Sequence, residues 1–344
     1  MSLSPNQFLH QRYQIHSLLG QGGMGSVFRA TDMVMNRIVA IKERTPDPNA
    51  TAQGLAQARA QFQREAQILG ALSHPNLPHI YDFFTANGNE YVVMEFIEGQ
   101  NLAEVVAQHG AINEGAVRAW AEQILDALAY IHERNIIHRD IKPANIIVQK
   151  DGKVVLVDFG LVKLFDPNDP RTMTVMRGMG TPEYAPLEQF SAGMHTDARS
   201  DLYAFGATLY HVLSSRAPLD VPKRLLNPHQ QQTLRALNPK ISAAMEAVVD
   251  KAMQVQPQAR WQSAREMKEQ IKGLARPTLG LNQTTTRAAV TTFLTCPNCN
   301  YQNVPDEIYC QSCAQKLGVA RYCADCGTAA LKDATVCVEC GRRL

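Results

Sequence analysis

The first 295 residues contain no cysteine. Disulfide stapling is thereby excluded from most of the chain, whose stability must come from a packed core. No run of about 18 apolar residues occurs, and the start, MSLSPNQFLHQRYQ, has no basic segment leading into an apolar one; we therefore expect neither a membrane span nor a secretory leader, and a cytoplasmic location. Charge of one sign is also lacking. The 34 Lys and Arg stand against 32 Asp and Glu, net +2, so no whole-molecule field draws the chain to nucleic acid or to a membrane surface. What is present is 344 residues of 45% apolar composition, enough for a large two-lobed domain with a small appendage.

Short strand patterns come first: YQIHSLLG, SVFRATD and RIVAIKE, with a turn near Asn36. After a connection marked by Pro, Asn and Gly, the stretch AQARAQFQREAQILGAL places Phe62, Ala66 and Leu69 at helical spacing, which predicts one long helix among strands. From about Leu102 to Leu274 the pattern is mostly helical, broken by IIHRDIKPANIIV and VVLVDFG, two strand-and-loop units. A β-rich lobe thus precedes an α-rich one. Residues 275–295 hold weak periodicity and seven threonines, which reads as a linker.

Gly20, Gly22 and Gly25 form G-x-G-x-x-G with Val27 two residues on, a spacing that lets backbone approach phosphates without side-chain interference. A dinucleotide-binding loop shares this spacing but opens a helix; here SVFRATD follows, so a hairpin over phosphates fits better. Lys42 ends the apolar run RIVAIK and can point at phosphate oxygens; alone, it reads equally well as a snorkelling surface lysine.

The order HRDIKPANI then DFG changes the weights, because His138, Arg139, Asp140, Lys142, Asn145 and Asp158 match one template. Residues 13–274 resemble a eukaryotic-like protein kinase domain, and GQGGMGSVFRA with GTPEYAP looks like its bacterial Ser/Thr branch. The resemblance implies an α+β, two-lobed protein kinase fold, with a β-rich N-lobe and an α-rich C-lobe, working with ATP and Mg²⁺ (Mn²⁺ as an alternative) on protein Ser/Thr hydroxyls. It makes Asp140 the acceptor of the hydroxyl proton, Lys142 the cation steadying the γ-phosphate, and Asn145 and Asp158 the metal-holding oxygens. Phosphoryl transfer needs such positioning and charge neutralisation more than covalent help. Glu65, on the helix after the third strand, would orient Lys42; otherwise it belongs to a solvated helix face. Met94 becomes the gatekeeper, and Glu95 to Ile97 the hinge whose backbone meets adenine. Lys142 in DIKPAN and Thr181 in GTPEY stand on the Ser/Thr side of the family. Asp201 is expected to support the catalytic loop, and Arg139 to receive a phosphorylated Thr172 or Thr174. One departure is Leu187, where the family has proline in APLE; Glu188 remains, with Arg260 as its expected ion-pair partner.

All eight cysteines lie between Cys296 and Cys340. Cys296, Cys299, Cys310 and Cys313 form paired C-x2-C knuckles, and the pattern returns 27 residues later as Cys323, Cys326, Cys337 and Cys340. Two four-thiolate sites suit two tetrahedral Zn²⁺, with disulfides or a redox C-x-x-C as rivals. Residues 296–344 resemble a double zinc ribbon, with a role in partner binding, in intramolecular control of the kinase, or as a passive module. Five basic residues there face five acidic ones, and the thiolates add negative charge, which disfavours nucleic acid. The linker would let the ribbon move relative to the kinase, so no fixed interface is assumed, and deletion after Arg276 is expected to preserve intrinsic catalysis while leaving room for a change in substrate choice or regulation. Against the kinase reading stand a nucleotide-binding pseudokinase scaffold and a small-molecule kinase; GTPEYAPLE, a peptide-docking type of segment, disfavours the latter.

Overall fold

The computed structural model describes residues 3–22, 25–46, 50–158, 163–164, 181–190, 196–274, 294–299, 301–303, 309–313, 315, 317, 321–322 and 329–330. An antiparallel sheet of six strands builds the first lobe: β1 (Phe8–Leu9), β2 (Tyr13–Gly22), β3 (Gly25–Asp32), β4 (Arg37–Arg44), β5 (Ile80–Ala86) and β6 (Asn89–Glu95), in spatial order β1-β2-β3-β4-β6-β5. Side chains alternate across each strand, so Phe28 and Ala30 of β3, and Val39 and Ile41 of β4, enter the lobe's core. The intervening positions, Val27, Ala40 and Lys42, face the cleft. β1 lies before the expected start of the domain, yet Leu3 and Leu9 belong to this core, so the folded body includes residues ahead of Tyr13.

Helix α1 (Ala52–Gly70) begins four residues before the sequence pattern suggests, because Thr51 Oγ1 accepts from the Gly54 amide at 3.1 Å and caps it. Its last turn, with Leu69, joins the core of the second lobe. That core surrounds α3 (Glu114–His132) and α4 (Ala198–Ser214), the latter buried on almost every face. Completing the lobe are α2 (Leu102–His109), α5 (Val221–Leu226), α6 (Leu234–Leu237), α7 (Ala243–Ala252) and α8 (Ala264–Gly273). Short strands carry the loops between helices. β7 (Gln100–Asn101), β9 (Ile146–Val148) and β10 (Val154–Leu156) form one ladder, and β8 (Ile136–Ile137) pairs with β11 (Lys163–Leu164).

In the cysteine-rich tail, β12 (Leu294–Thr295) pairs with β13 (Gln302–Asn303), and β14 (Arg321–Tyr322) with β15 (Ala329–Ala330). β12 starts within the stretch read as linker. The second hairpin stands 27 residues after the first, the same offset as the cysteines. No helix of the described residues is long and apolar enough to cross a membrane.

Candidate active site

A cleft of about 680 Å³ runs between the lobes. Its roof is the β2–β3 hairpin, where Gly20 faces Val27 and Gly22 faces Gly25. Gly25 sits at φ +123°, and a β-carbon there would fall 1.8 Å from the Glu43 carbonyl oxygen, so only glycine fits. A strand and not a helix follows the glycines, which separates this hairpin from a dinucleotide-binding loop. Met94, Glu95 and Ile97 form the back wall, with the Glu95 amide donating to His79 O at 2.8 Å.

The floor is the loop after β8. Asp140 is buried, and its carboxylate accepts from Asn145 Nδ2 at 2.9 Å and pairs with Lys142 Nζ at 2.9 Å. Asn145 Nδ2 also donates to Asp140 O, and Val157 N to Asn145 O, so the end of β10 is tied to this loop. Asp201, at the start of α4, accepts from the backbone amides of His138 and Arg139 at 2.9 and 2.8 Å and from His132 Nε2 at 2.8 Å. Burial lowers the pKa of His138 and keeps its ring neutral. His132 and Gln189, whose amide donates to Arg139 O at 3.0 Å, buttress the loop without any signal in the linear motifs. Thr181 lines the cleft with Asp140 and Lys142; among the hydrogen bonds of the described residues none joins its side chain to either.

Lys42 reaches across the cleft and forms an ion pair with Asp158, 116 residues away. Burial opposes ionisation of Asp158, but the ammonium beside it prevails and holds the carboxyl below its usual range. Asp158 takes a left-handed φ of +68°, a strained placement for a non-glycine residue. The expected Lys42–Glu65 pair is not among the ion pairs of the described residues. Glu65 is half-buried on α1, outside the cleft lining, and its charge acts on Arg139. Arg139 is itself buried, and its Nε and Nη2 have no hydrogen-bond acceptor. Burial lowers its pKa against the pull of Asp201 and Glu65.

Glu188 and Arg260 form a buried bidentate pair at 2.6 and 3.0 Å, and Ser200 Oγ donates to Glu188 as well. Leu187, in proline's place, packs on the second lobe's core. Truncating one partner strands a buried charge, so Glu188→Ala or Arg260→Ala should cost about 3–5 kcal/mol, read as a thermal midpoint lower by roughly 10 °C. A loss under about 1 kcal/mol in urea unfolding would contradict this.

In the tail the sulfurs of Cys296, Cys299, Cys310 and Cys313 all lie within 4.8 Å of one another, with Cys296–Cys313 and Cys299–Cys310 each at 3.5 Å. A disulfide needs about 2.05 Å, whereas four thiolates about 2.3 Å from one zinc stand about 3.8 Å apart. The amides of Asn298 and Ser312 turn back onto Cys296 and Cys310 sulfurs at 3.4 Å, as a knuckle requires. Burial pushes Cys313 up to about 12; at Cys299 burial is outweighed by the Tyr301 amide and the neighbouring thiols, which bring it down to about 7. Four such groups ionise together only around a cation. Cys323, Cys326, Cys337 and Cys340 lie outside the described residues, as do Thr172 and Thr174.

Comparison with known proteins agrees with both halves. Residues 13–271 match the protein kinase domain family and residues 296–341 the double zinc ribbon family. The chain is 38% identical over 280 residues to the serine/threonine-protein kinase PknA of Nostoc, covering 77% of this chain and 48% of that protein. It is 34% identical over 277 residues to serine/threonine-protein kinase B of Synechocystis (77% and 47%) and 34% over 267 residues to PrkC of Bacillus subtilis (76% and 40%). The chain thus spans about half the length, or less, of these curated relatives.

Proposed function

The chain belongs to the protein kinase domain family, and on that footing we propose that it transfers the γ-phosphoryl group of ATP to serine and threonine hydroxyls of proteins. The observation that carries this is the Asp140 carboxylate, held by Asn145 and Lys142 on the cleft floor, facing the Lys42–Asp158 pair beneath the glycine hairpin. Asp140 would take the attacking hydroxyl's proton as Lys142 neutralises charge beside it. Asn145 spends its amide hydrogens on Asp140, so its side-chain oxygen is the atom offered to a hard cation, with Asp158 the second ligand. Bound Mg²⁺ would supply charge neutralisation at the phosphates. Gly20, Gly22, Gly25 and Val27 would cover the phosphates, Lys42 would neutralise them, and the backbone of Glu95 and Ile97 would meet the adenine. No catalytic group is missing, so nothing favours the pseudokinase scaffold. Incubation with labelled ATP and candidate proteins, followed by mass spectrometry of the labelled sites, tests the reading; absence of transfer to any Ser or Thr would overturn it.

Regulation follows from Arg139. A buried guanidinium with two unmatched donor atoms suits a phosphate, and a phosphorylated Thr172 or Thr174 would supply it. The Lys42–Asp158 pair would then be the resting arrangement, with Glu65 taking over Lys42 when nucleotide and phosphate are bound. Autophosphorylation at one or both threonines is expected, and the Thr172→Ala/Thr174→Ala protein should lose most activity. Unchanged activity and unchanged phosphate content in 159–188 would rule the switch out. Two structural Zn²⁺ in the tail and a cytoplasmic location, where thiolates stay reduced, complete the proposal.

A further inference from the structure

We propose that the first ribbon is a docked part of the C-lobe, seated in cis on α3 and the β9–β10 turn, and that metal at Cys296, Cys299, Cys310 and Cys313 holds it there. This rests on the four-thiolate reading of that cluster and is independent of phosphoryl transfer.

Three contacts carry it. Tyr309 is only 3% exposed and belongs to the same apolar cluster as α3 and α4. Its ring meets Trp120 of α3 edge-on, with centroids 5.0 Å apart at 82°, a favoured aromatic geometry. The Trp120 indole N–H is buried with no hydrogen-bond acceptor, so the burial of this ring is not owed to a polar anchor. At the first turn of α3 stands Gly115, where a β-carbon would fall 2.4 Å from the Gln311 carbonyl oxygen. Glycine is disfavoured in a helix, and here its missing side chain is the space the ribbon backbone occupies. Finally, Gln315 Nε2 donates to Lys150 O at 3.0 Å, in the turn between β9 and β10.

All three contacts issue from one knuckle. Tyr309 directly precedes Cys310, Gln311 directly follows it, and the Cys310 amide donates to Gln315 O at 2.7 Å. The thiolate geometry therefore sets the positions of the ring, the backbone and the amide together. Metal loss frees them together. The turn gripped by Gln315 leads through β10 to Asp158, so the ribbon braces the segment that carries one wall of the cleft. The sequence left the interface open; these three contacts give the ribbon a seat.

The test uses the full chain, whose two tryptophans are Trp120 and Trp261. Zinc removal by a chelator should shift tryptophan emission to longer wavelength and speed amide exchange in 115–124 and 149–156 by about tenfold or more. Trp120→Phe should abolish the emission shift. Gly115→Ala, which favours the helix itself, and Tyr309→Ala should each produce the same changes with the zinc content unaltered. Emission and exchange that stay unchanged in either variant would overturn the docking, and values unchanged when zinc is stripped from zinc-containing protein would overturn the metal's hold on it. Effects that vary with protein concentration would assign the contact to a second copy and overturn the cis arrangement. Metal analysis run in parallel separates the two readings: zinc absent from native protein refutes the metal link, while Gly115→Ala still decides the docking.

Discussion

Asp140→Asn should lower phosphoryl transfer by about 10²–10⁴-fold while leaving nucleotide affinity nearly unchanged. Asparagine keeps the shape of the side chain and one acceptor oxygen, so the contacts with Asn145 Nδ2 and Lys142 Nζ at 2.9 Å can persist. What it removes is the negative charge and the site for the substrate's proton, which corresponds to about 3–5 kcal/mol of transition-state stabilisation. The roof and hinge that would hold ATP are built from other elements. Lys42→Met should be equally damaging for a different reason. It deletes the cation meant for the phosphates and leaves the Asp158 carboxylate without its ion-pair partner, so metal and nucleotide binding should weaken along with turnover. Labelled-ATP turnover together with calorimetric nucleotide binding distinguishes the two variants. Near wild-type turnover in either would remove that residue from the mechanism.

Native protein should contain two Zn²⁺ per chain, and the Cys299→Ser/Cys310→Ser protein one. The first site has its four sulfurs already gathered at distances fitting a tetrahedral dication. For the second, the cysteine spacing and the β14–β15 hairpin both repeat the first unit at 27 residues. About fifty residues bury too little apolar surface to fold alone, whereas a structural Zn²⁺ contributes about 10–16 kcal/mol in small thiolate domains. Native mass spectrometry and elemental analysis read the stoichiometry directly. A value near zero, or disulfides in freshly isolated protein, would refute both sites.

The cleft floor was legible because His138 to Asn145 form one short loop: residues bound by consecutive peptide bonds cannot be far apart, and a family pattern names their types in that order. The same holds for each C-x2-C knuckle. The Glu188–Arg260 pair was also readable, although 72 residues separate its members, because a family pattern names both. By contrast, His132, Gln189 and Gly115 carry no motif. Each acts through a partner that only folding brings near, and a histidine at the end of a helix or a glycine at the start of one has many uses.

The sequence by itself determined the two lobes, the motifs that meet at the cleft and the gathering of Cys296, Cys299, Cys310 and Cys313, since strand alternation, helix period and the spacing of a short loop or knuckle are all local properties of the chain. Tertiary structure alone decided that Lys42 holds Asp158 and not Glu65, that β1 and Leu3 extend the N-lobe, and that Tyr309 rests on Trp120. These are choices about how already formed elements pack. A helix such as α1 can pivot on its sheet, and a ribbon can sit on or leave a lobe, without altering any local pattern. Long-range contacts of side chains, each small and felt only at close range, settle the matter.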